Sequence, residues 1–354
     1  MDIHKLREEI DQIDREVLEL LNKRAGIARE IGMQKQRTKK TFFVPERESQ
    51  VLGRLADANK GPLSDTSVRA IYREIISASR ALEEPITIAY WGPPATNTHM
   101  ASIRKFGSSC NFIPVDTIPD VFSEVERERA NYGVVPIENS TEGVINHTLD
   151  TFLASNLRIC SEIYLPITHN LLSQAATLAE IKRVYSIPTA AAQCRNWLRT
   201  NLPNVEIVDV STTAKGAQLC TQEPTSAAIA TALAAEIYAL DILAEHIEDN
   251  PQNRTRFLVV GYTEPTPSGK DKTSVMFSVP HKAGALYKAL SVFEKYDINL
   301  AMIESRPTKL TPWEYVFFID CQGHAKDQPI QKALAALKEH TLFVTVLGSY
   351  PEAE

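Results

Sequence analysis

One apolar stripe constrains the first forty residues. Leu6, Ile10, Ile13, Val17, Leu20, Ile27 and Ile31 step by alternating fours and threes, with Arg24 standing where another aliphatic is expected. That spacing keeps to one face of an α-helix, and no proline or turn interrupts it before Lys40. Such a helix must lay its stripe against other helices, so the segment reads as part of a bundle. A second helix runs from Glu46 to Ala58 after Pro45 and is broken by Asn59-Lys60-Gly61-Pro62. A third, capped by Ser64 or Asp65, runs to Leu82, and Glu84-Pro85 closes the unit.

From Ile86 to about Tyr262 the pattern changes to short strands alternating with helices. Strands are expected at Ile86–Tyr90, Tyr132–Ile137, Val184–Ser186, Val205–Val210, Ala227–Ala230 and Arg256–Gly261. Helices are expected at Thr98–Phe106, Ile118–Glu128, Ala190–Thr200 and Thr212–Gln222. This alternation predicts an α/β fold with mostly parallel sheets, and its length allows two lobes with a cleft between them. Glu264 to Lys272 reads as a flexible connector by composition. Beyond it, strand Thr273–Val279, helix Ala285–Tyr296, strands Ile298–Pro307 and Glu314–Cys321, helix Pro329–His340 and strand Leu342–Tyr350 give a βαββαβ order. That is a ferredoxin-like α+β unit. The chain is thus multidomain: all-α over 1–84, two-lobed α/β over 86–263, and α+β over 273–354.

Composition narrows the function. At 354 residues the chain is too long for a single core. Its net charge of −6, with no basic run interleaved with aromatics, argues against nucleic acid as a partner. No run of about 18 apolar residues calls for a membrane, and the N-terminus has no apolar signal-like region. Five cysteines without C-x-x-C spacing suit reduced thiols in the cytoplasm better than disulfides or zinc. No P-loop, GxGxxG or HExxH occurs, so no nucleotide, dinucleotide or metal is expected, and no cofactor.

The densest chemistry lies at residues 132–150. An apolar strand runs into Glu138-Asn139-Ser140-Thr141-Glu142, turns at Gly143 and enters a helix near Asn146. Polar side chains at the carboxyl end of a strand, over a helix start, suit an anionic small molecule. Alone, the segment reads equally well as a capped strand–turn–helix with no ligand. Two further segments, Gly92-Pro93-Pro94-Ala95-Thr96-Asn97-Thr98-His99 and Asn253-Arg254-Thr255-Arg256-Phe257, complete a set that resembles the signature of prephenate dehydratases. The resemblance covers about 86–262. It implies Thr255 as the group assisting departure of the hydroxyl, and Arg256 as a carboxylate ligand. Asn139, Ser140, Thr141, Thr96 and Thr98 would line the cleft. Glu138 is an alternative acid, and His99 and His147 read as helix-start or packing residues. Tyr185-Ser186-Ile187-Pro188-Thr189 departs from the Ser-His-Pro-Gln pattern common in that family, so no ligand role is expected there.

Residues 1–84 resemble the all-helical type of chorismate mutase, through Arg7, Arg24, Lys35, Arg47, Glu48, Ser79 and Glu83. Taken by themselves, Arg24 and Lys35 could snorkel at a helix edge or line a cationic pocket for a dicarboxylate. The resemblance implies the pocket: Arg7, Arg24 and Arg47 on carboxylates, Ser79 beside them, Glu48 on the hydroxyl, Lys35 donating to the ether oxygen. Glu83 stands where some members carry Gln. It can donate only as the acid, so mutase activity should fall as pH rises. Arg7 and Arg24 lie 17 residues apart, about 25 Å along a helix, so one ligand cannot touch both from one chain. An antiparallel homodimer with shared sites would bring them together.

The C-terminal unit resembles phenylalanine-sensing ACT domains. Gly284-Ala285-Leu286 and Asn299-Leu300, with Glu304-Ser305 beyond, match their effector-binding segments. The combination resembles the bifunctional enzymes of bacterial phenylalanine synthesis, and implies chorismate and prephenate as substrates and phenylalanine as allosteric inhibitor. The rival readings are a non-catalytic amino-acid sensor on a helical dimerisation arm, and an active dehydratase whose helices only dimerise.

Overall fold

The computed structural model describes residues 2–38, 43–308 and 314–353. The chain divides into two compact units, 1–87 with 106–111, and 88–105 with 112–354.

In the first unit, α1 (Ile3–Thr38), α2 (Pro45–Ala58) and α3 (Asp65–Glu83) match the expected helices; the run up to Lys40 ends outside the described residues. Pro45 opens α2 at a position where its missing N–H costs nothing, and the Ser64 hydroxyl caps α3 by accepting from Ser67 N at 3.1 Å. Gly32 sets how closely α1 meets α3. A Cβ there would lie 2.8 Å from the Glu83 Cβ, a contact that only glycine avoids. Segment 106–111 docks on the same helix: Ser108 donates to Glu74 from its backbone N (3.0 Å) and its hydroxyl (2.6 Å). Buried Arg80 lies over the Phe43 ring and pairs with Glu48 at 2.8 Å. Most of the α1 stripe is uncovered. Ile3, Leu6, Ile10, Ile13, Val17, Leu20, Ile27 and Ile31 are 38 to 65% exposed.

From 87 to 166 the chain forms β1 (Thr87–Trp91), α4 (Asn97–Phe106), β2 (Asn111–Val115), α5 (Ile118–Glu126), β3 (Tyr132–Asn139), β4 (Gly143–Val144), α6 (Asn146–Phe152) and β5 (Arg158–Pro166). The second lobe holds β6 (Asn170–Ser173), β7 (Arg183–Ser186), α7 (Pro188–Gln193), α8 (Arg195–Asn201), β8 (Glu206–Asp209), α9 (Thr213–Cys220), β9 (Ser226–Ala230), α10 (Ala232–Tyr238) and β10 (Asp241–Ala244). Then β11 (Arg254–Gly261) returns to the first sheet. The strand orders are β2-β1-β3-β11-β5, with β4 on β3, and β10-β6-β9-β7-β8.

Both sheets are mixed, which corrects the expectation of mostly parallel pairing. β1 runs parallel to β3, and β7 parallel to β8 and β9. The returning β11 is antiparallel to β3 and β5, and β6 is antiparallel to β9 and β10. The helix expected over Ala190–Thr200 breaks at Cys194, whose φ of −111° and ψ of 15° leave the helical range.

The last 80 or so residues form β12 (Asp271–Ser278), α11 (Ala285–Lys295), β13 (Leu300–Pro307), β14 (Tyr315–Gln322), α12 (Gln328–Lys338) and β15 (Phe343–Pro351). Their antiparallel order, β13-β14-β12-β15, is the ferredoxin-like arrangement. This sheet packs on the first lobe, where Ile137, Leu258 and Val260 share a core with Met276, Phe318, Leu347 and Tyr350. Gly348 permits the contact, since a Cβ would meet the Ile159 carbonyl oxygen at 2.2 Å. The connector is not loose along its whole length. Asp271 accepts from Ser268 N (2.8 Å) and Gly269 N (3.0 Å), and Lys272 is buried.

Candidate active sites

A cleft of about 870 Å³ opens in the two-lobed domain. The end of β3 supplies Asn139, the loop before α4 supplies Thr96, the first turn of α4 supplies Asn97 and Thr98, and β11 supplies Thr255 and Phe257. The second lobe adds His169, Thr189, Gln193 and the Ser211–Thr213 turn with Lys215. Lys215 is the only lysine or arginine among the described lining residues.

Asn139 organises the centre. Its Nδ2 donates to Thr255 Oγ1 at 2.8 Å and to Asn253 Oδ1 at 2.9 Å. Its Oδ1 accepts from Thr141 N and Glu142 N, both at 2.9 Å, which fixes the amide orientation. Because Asn139 already fills an acceptor position on Thr255, the Thr255 hydroxyl hydrogen is available to the cleft. Gln193 ties the lobes together. Its Oε1 accepts from His169 Nε2 (2.8 Å) and Asn253 Nδ2 (3.2 Å), and its Nε2 donates to Glu142 (3.3 Å). His99 braces the 92–98 loop: its Nδ1 accepts from Ala95 N at 3.2 Å and its ring stacks on Tyr90 at 4.6 Å. Burial holds the His99 pKa below its ordinary value and pushes that of Tyr90 up to about 12.

Of the residues expected here, Thr96, Thr98, Asn139 and Thr255 line the cleft together. Ser140 instead joins β3 to β11, accepting from Arg254 N at 3.0 Å, and Thr141 caps Asn139 through its backbone. Arg256 requires a correction. Strand alternation sends it to the face opposite Thr255, where it is 4% exposed and bound to Glu162 (2.8 Å) and Asp320 (2.6 Å), not turned to the cleft. Gln193, His169 and Lys215 were missed. Gln193 had a signal in the sequence: it is the polar residue ending the Ala190-Ala191-Ala192 run.

The helical unit gathers a second set. Arg24 Nη1 donates to Ser79 Oγ at 2.5 Å, and Lys35 Nζ pairs with Glu83 Oε2 at 3.0 Å. Glu48 joins them from α2 through Arg80. Arg47 is exposed at the start of α2, and Arg7 lies at the far end of α1. In the ferredoxin-like unit, Gly284 (φ +76°) precedes α11 and allows the turn into Ala285 and Leu286. Asn299 leads into Leu300 of β13, and Glu304 and Ser305 follow on that strand, at the edge of the sheet.

This arrangement defines a prephenate dehydratase-type enzyme carrying a helical mutase and an ACT sheet. The prephenate dehydratase family matches residues 88–265, chorismate mutase type II matches 6–84, and the ACT domain matches 273–339. The bifunctional chorismate mutase/prephenate dehydratase of Aquifex aeolicus is 48% identical over 99% of this chain and 98% of its own length. That of Stutzerimonas stutzeri is 44% identical over 98% and 97%. The crystal structure of Arthrobacter aurescens prephenate dehydratase with L-Phe superposes with a TM-score of 0.71 at 37% identity, over 76% of this chain and 90% of that one. The chain belongs to the bifunctional chorismate mutase/prephenate dehydratase family.

Proposed function

We infer that the chain rearranges chorismate to prephenate in its helical unit and converts prephenate to phenylpyruvate in the cleft, under inhibition by phenylalanine. The observation that carries the second step is the Asn139–Thr255 hydrogen bond, which leaves one directed donor in a cleft suited in size to a small molecule. In that step the ring carboxylate leaves as carbon dioxide, its bonding electron pair enters the ring, and the C–O bond opposite breaks. Thr255 donates a hydrogen bond to the departing hydroxyl, and aromatisation drives the reaction. Thr96, Thr98 and Asn139 orient the substrate, and Lys215 supplies positive charge for a carboxylate.

The mutase step is a rearrangement without a covalent intermediate, so the protein's task is to hold a compact conformer and stabilise charge growing on the ether oxygen. Arg24, Arg47 and Ser79 take the carboxylate side and Glu48 the hydroxyl. Lys35 donates to the ether oxygen, with Glu83 beside it at 3.0 Å. The pocket is completed by Arg7 of a second copy, through an antiparallel dimer that also covers the exposed α1 stripe. Phenylalanine occupies the segments at Gly284–Leu286, Asn299–Leu300 and Glu304–Ser305. A cytoplasmic site of action fits the five free cysteines, several of them held by burial as unreactive thiols with pKa values of about 11 to 12.

One assay tests the whole reading: chorismate alone, with loss of chorismate and appearance of phenylpyruvate followed with and without phenylalanine. Phenylpyruvate should form and phenylalanine should suppress it. Prephenate accumulating unconverted would remove the dehydratase assignment, and intact chorismate would remove the mutase one.

A further inference from the structure

The back face of β11 carries a buried ionic cluster that the chemistry above does not use. Arg256 Nε donates to Glu162 Oε2 at 2.8 Å on β5, and Nη2 donates to the Tyr350 hydroxyl at 3.0 Å on β15. Nη1 lies 2.6 Å from Asp320 Oδ2 on β14, as an ion pair. Lys272 donates to both oxygens of Glu162, at 3.0 and 2.9 Å, and Ser274 donates to Asp320 at 2.5 Å. The four charged side chains are at most 7% exposed. Two cations face two anions, so the cluster is balanced and has no spare charge for a substrate. Burial disfavours the Arg256 cation, but Tyr350, Asp320 and Glu162 outweigh that and raise its pKa.

The backbone at this point gives the cluster a task. Along β3 the ladder is regular up to Arg256↔Glu138 and then slips a residue to Phe257↔Pro136, whereas along β5 it continues in step. The extra residue is Ile137 of β3, so it is β3 that bulges and β11 that stays regular at this step; such bulges are common beside active sites. Here the bulge lies across from the Arg256–Phe257 step, next to Thr255, whose hydroxyl must be aimed to a few tenths of an ångström to act. Arg256 is the β11 residue that meets this bulge, and its planar fork is gripped at every nitrogen. A lysine could not replace those directed contacts.

We propose that Arg256 is a positioning residue of the dehydratase, anchored by Glu162 on the back of the sheet so that β11, held opposite the β3 bulge, presents the Thr255 hydroxyl to the cleft. The proposal rests on the role given to Thr255, and the experiment separates the two. Steady-state prephenate turnover is measured on the full chain for Arg256→Lys, Glu162→Gln, Thr255→Val and the Arg256→Lys/Thr255→Val pair, with circular dichroism and thermal midpoints confirming the fold. Arg256→Lys and Glu162→Gln should lower kcat by about 10- to 100-fold with KM within about twofold. In the Thr255→Val background, Arg256→Lys should cost less than about twofold more, because its effect passes through the lost hydroxyl. A raised KM at unchanged kcat would show that Arg256 binds substrate, and a lowered thermal midpoint at unchanged kcat would show a purely structural role; either overturns the proposal. Full activity in Thr255→Val would remove the Thr255 assignment and the proposal with it. If both single variants fail to fold, Tyr350→Phe decides: it takes one hydroxyl from Nη2, and an unchanged kcat overturns the proposal where a several-fold fall supports it.

Discussion

Replacing Thr255 by Val removes one hydroxyl from the cleft and keeps the shape of a β-branched strand residue. Dehydratase kcat should fall by about 10²-fold or more, Thr255→Ser should keep much of it, and mutase turnover by the same chain should not change. His99 gives a residue-scale prediction in pH. Burial holds its pKa below the ordinary 6.5, so the folded protein keeps it neutral while the unfolded chain takes up a proton below that value. The unfolded state then binds more protons, and stability is lost as pH falls from 6.5. Thermal midpoints measured on either side of that pH should drop in acid, and the drop should shrink in His99→Gln, whose amide oxygen can still accept from Ala95 N. The neighbours Thr255 and Arg256 also show where sequence reading gave way. Thr-Arg-Phe reads as one motif, but a strand alternates its side chains, so Thr255 and Phe257 meet the cleft and Arg256 cannot. Family resemblance carried Thr255 and Arg256 to the site together, and only geometry divides them.

Elements with a strong period were legible. α1 and α3 emerge from their apolar spacing and from the Ser64 cap, and the ferredoxin-like order follows from six well-punctuated runs. β5 was not legible, because Arg158, Ser161 and Glu162 interrupt its apolar residues, and what they bind lies on distant parts of the chain. The pairing direction of β11 was hidden for a related reason, since it depends on a strand returning from the second lobe. The most testable element is α1. Its stripe is too apolar to face water over this length, and Arg7 lies too far from Arg24 to share a ligand within one chain. Leu20→Glu places a charge in the middle of that stripe. It should convert a dimeric helical unit to a monomeric one by sedimentation and lower mutase turnover by about 10²-fold or more, while the cleft still consumes prephenate. An unchanged assembly with full mutase activity would mean that the stripe is covered in some other way.

At the scale of the whole molecule, an ion pair joins β13, the strand proposed to hold the effector, to the helix beside the cleft. Arg306 lies on β13, directly after Glu304 and Ser305, and donates to both carboxylate oxygens of Asp150, at 2.8 and 3.1 Å. Asp150 sits on α6, and the turn into that helix supplies Glu142 and Ile145 to the cleft wall. A bidentate arginine–carboxylate pair transmits orientation as well as charge, so a shift of β13 must either carry α6 with it or break the pair. An effector can bias the cleft only by as much as its affinity differs between the two arrangements, and typical couplings of this kind correspond to about 5- to 150-fold. Asp150→Asn keeps the shape of the side chain and removes its charge. The uninhibited dehydratase rate should stay within about twofold, because Asp150 does not line the cleft. The phenylalanine concentration for half-inhibition should rise by about fivefold or more, while phenylalanine binding measured by calorimetry changes much less. Equal inhibition of variant and parent would show that the signal travels through the packed core of Ile137, Leu258 and Phe318, and that the Arg306–Asp150 pair serves only to dock the two sheets.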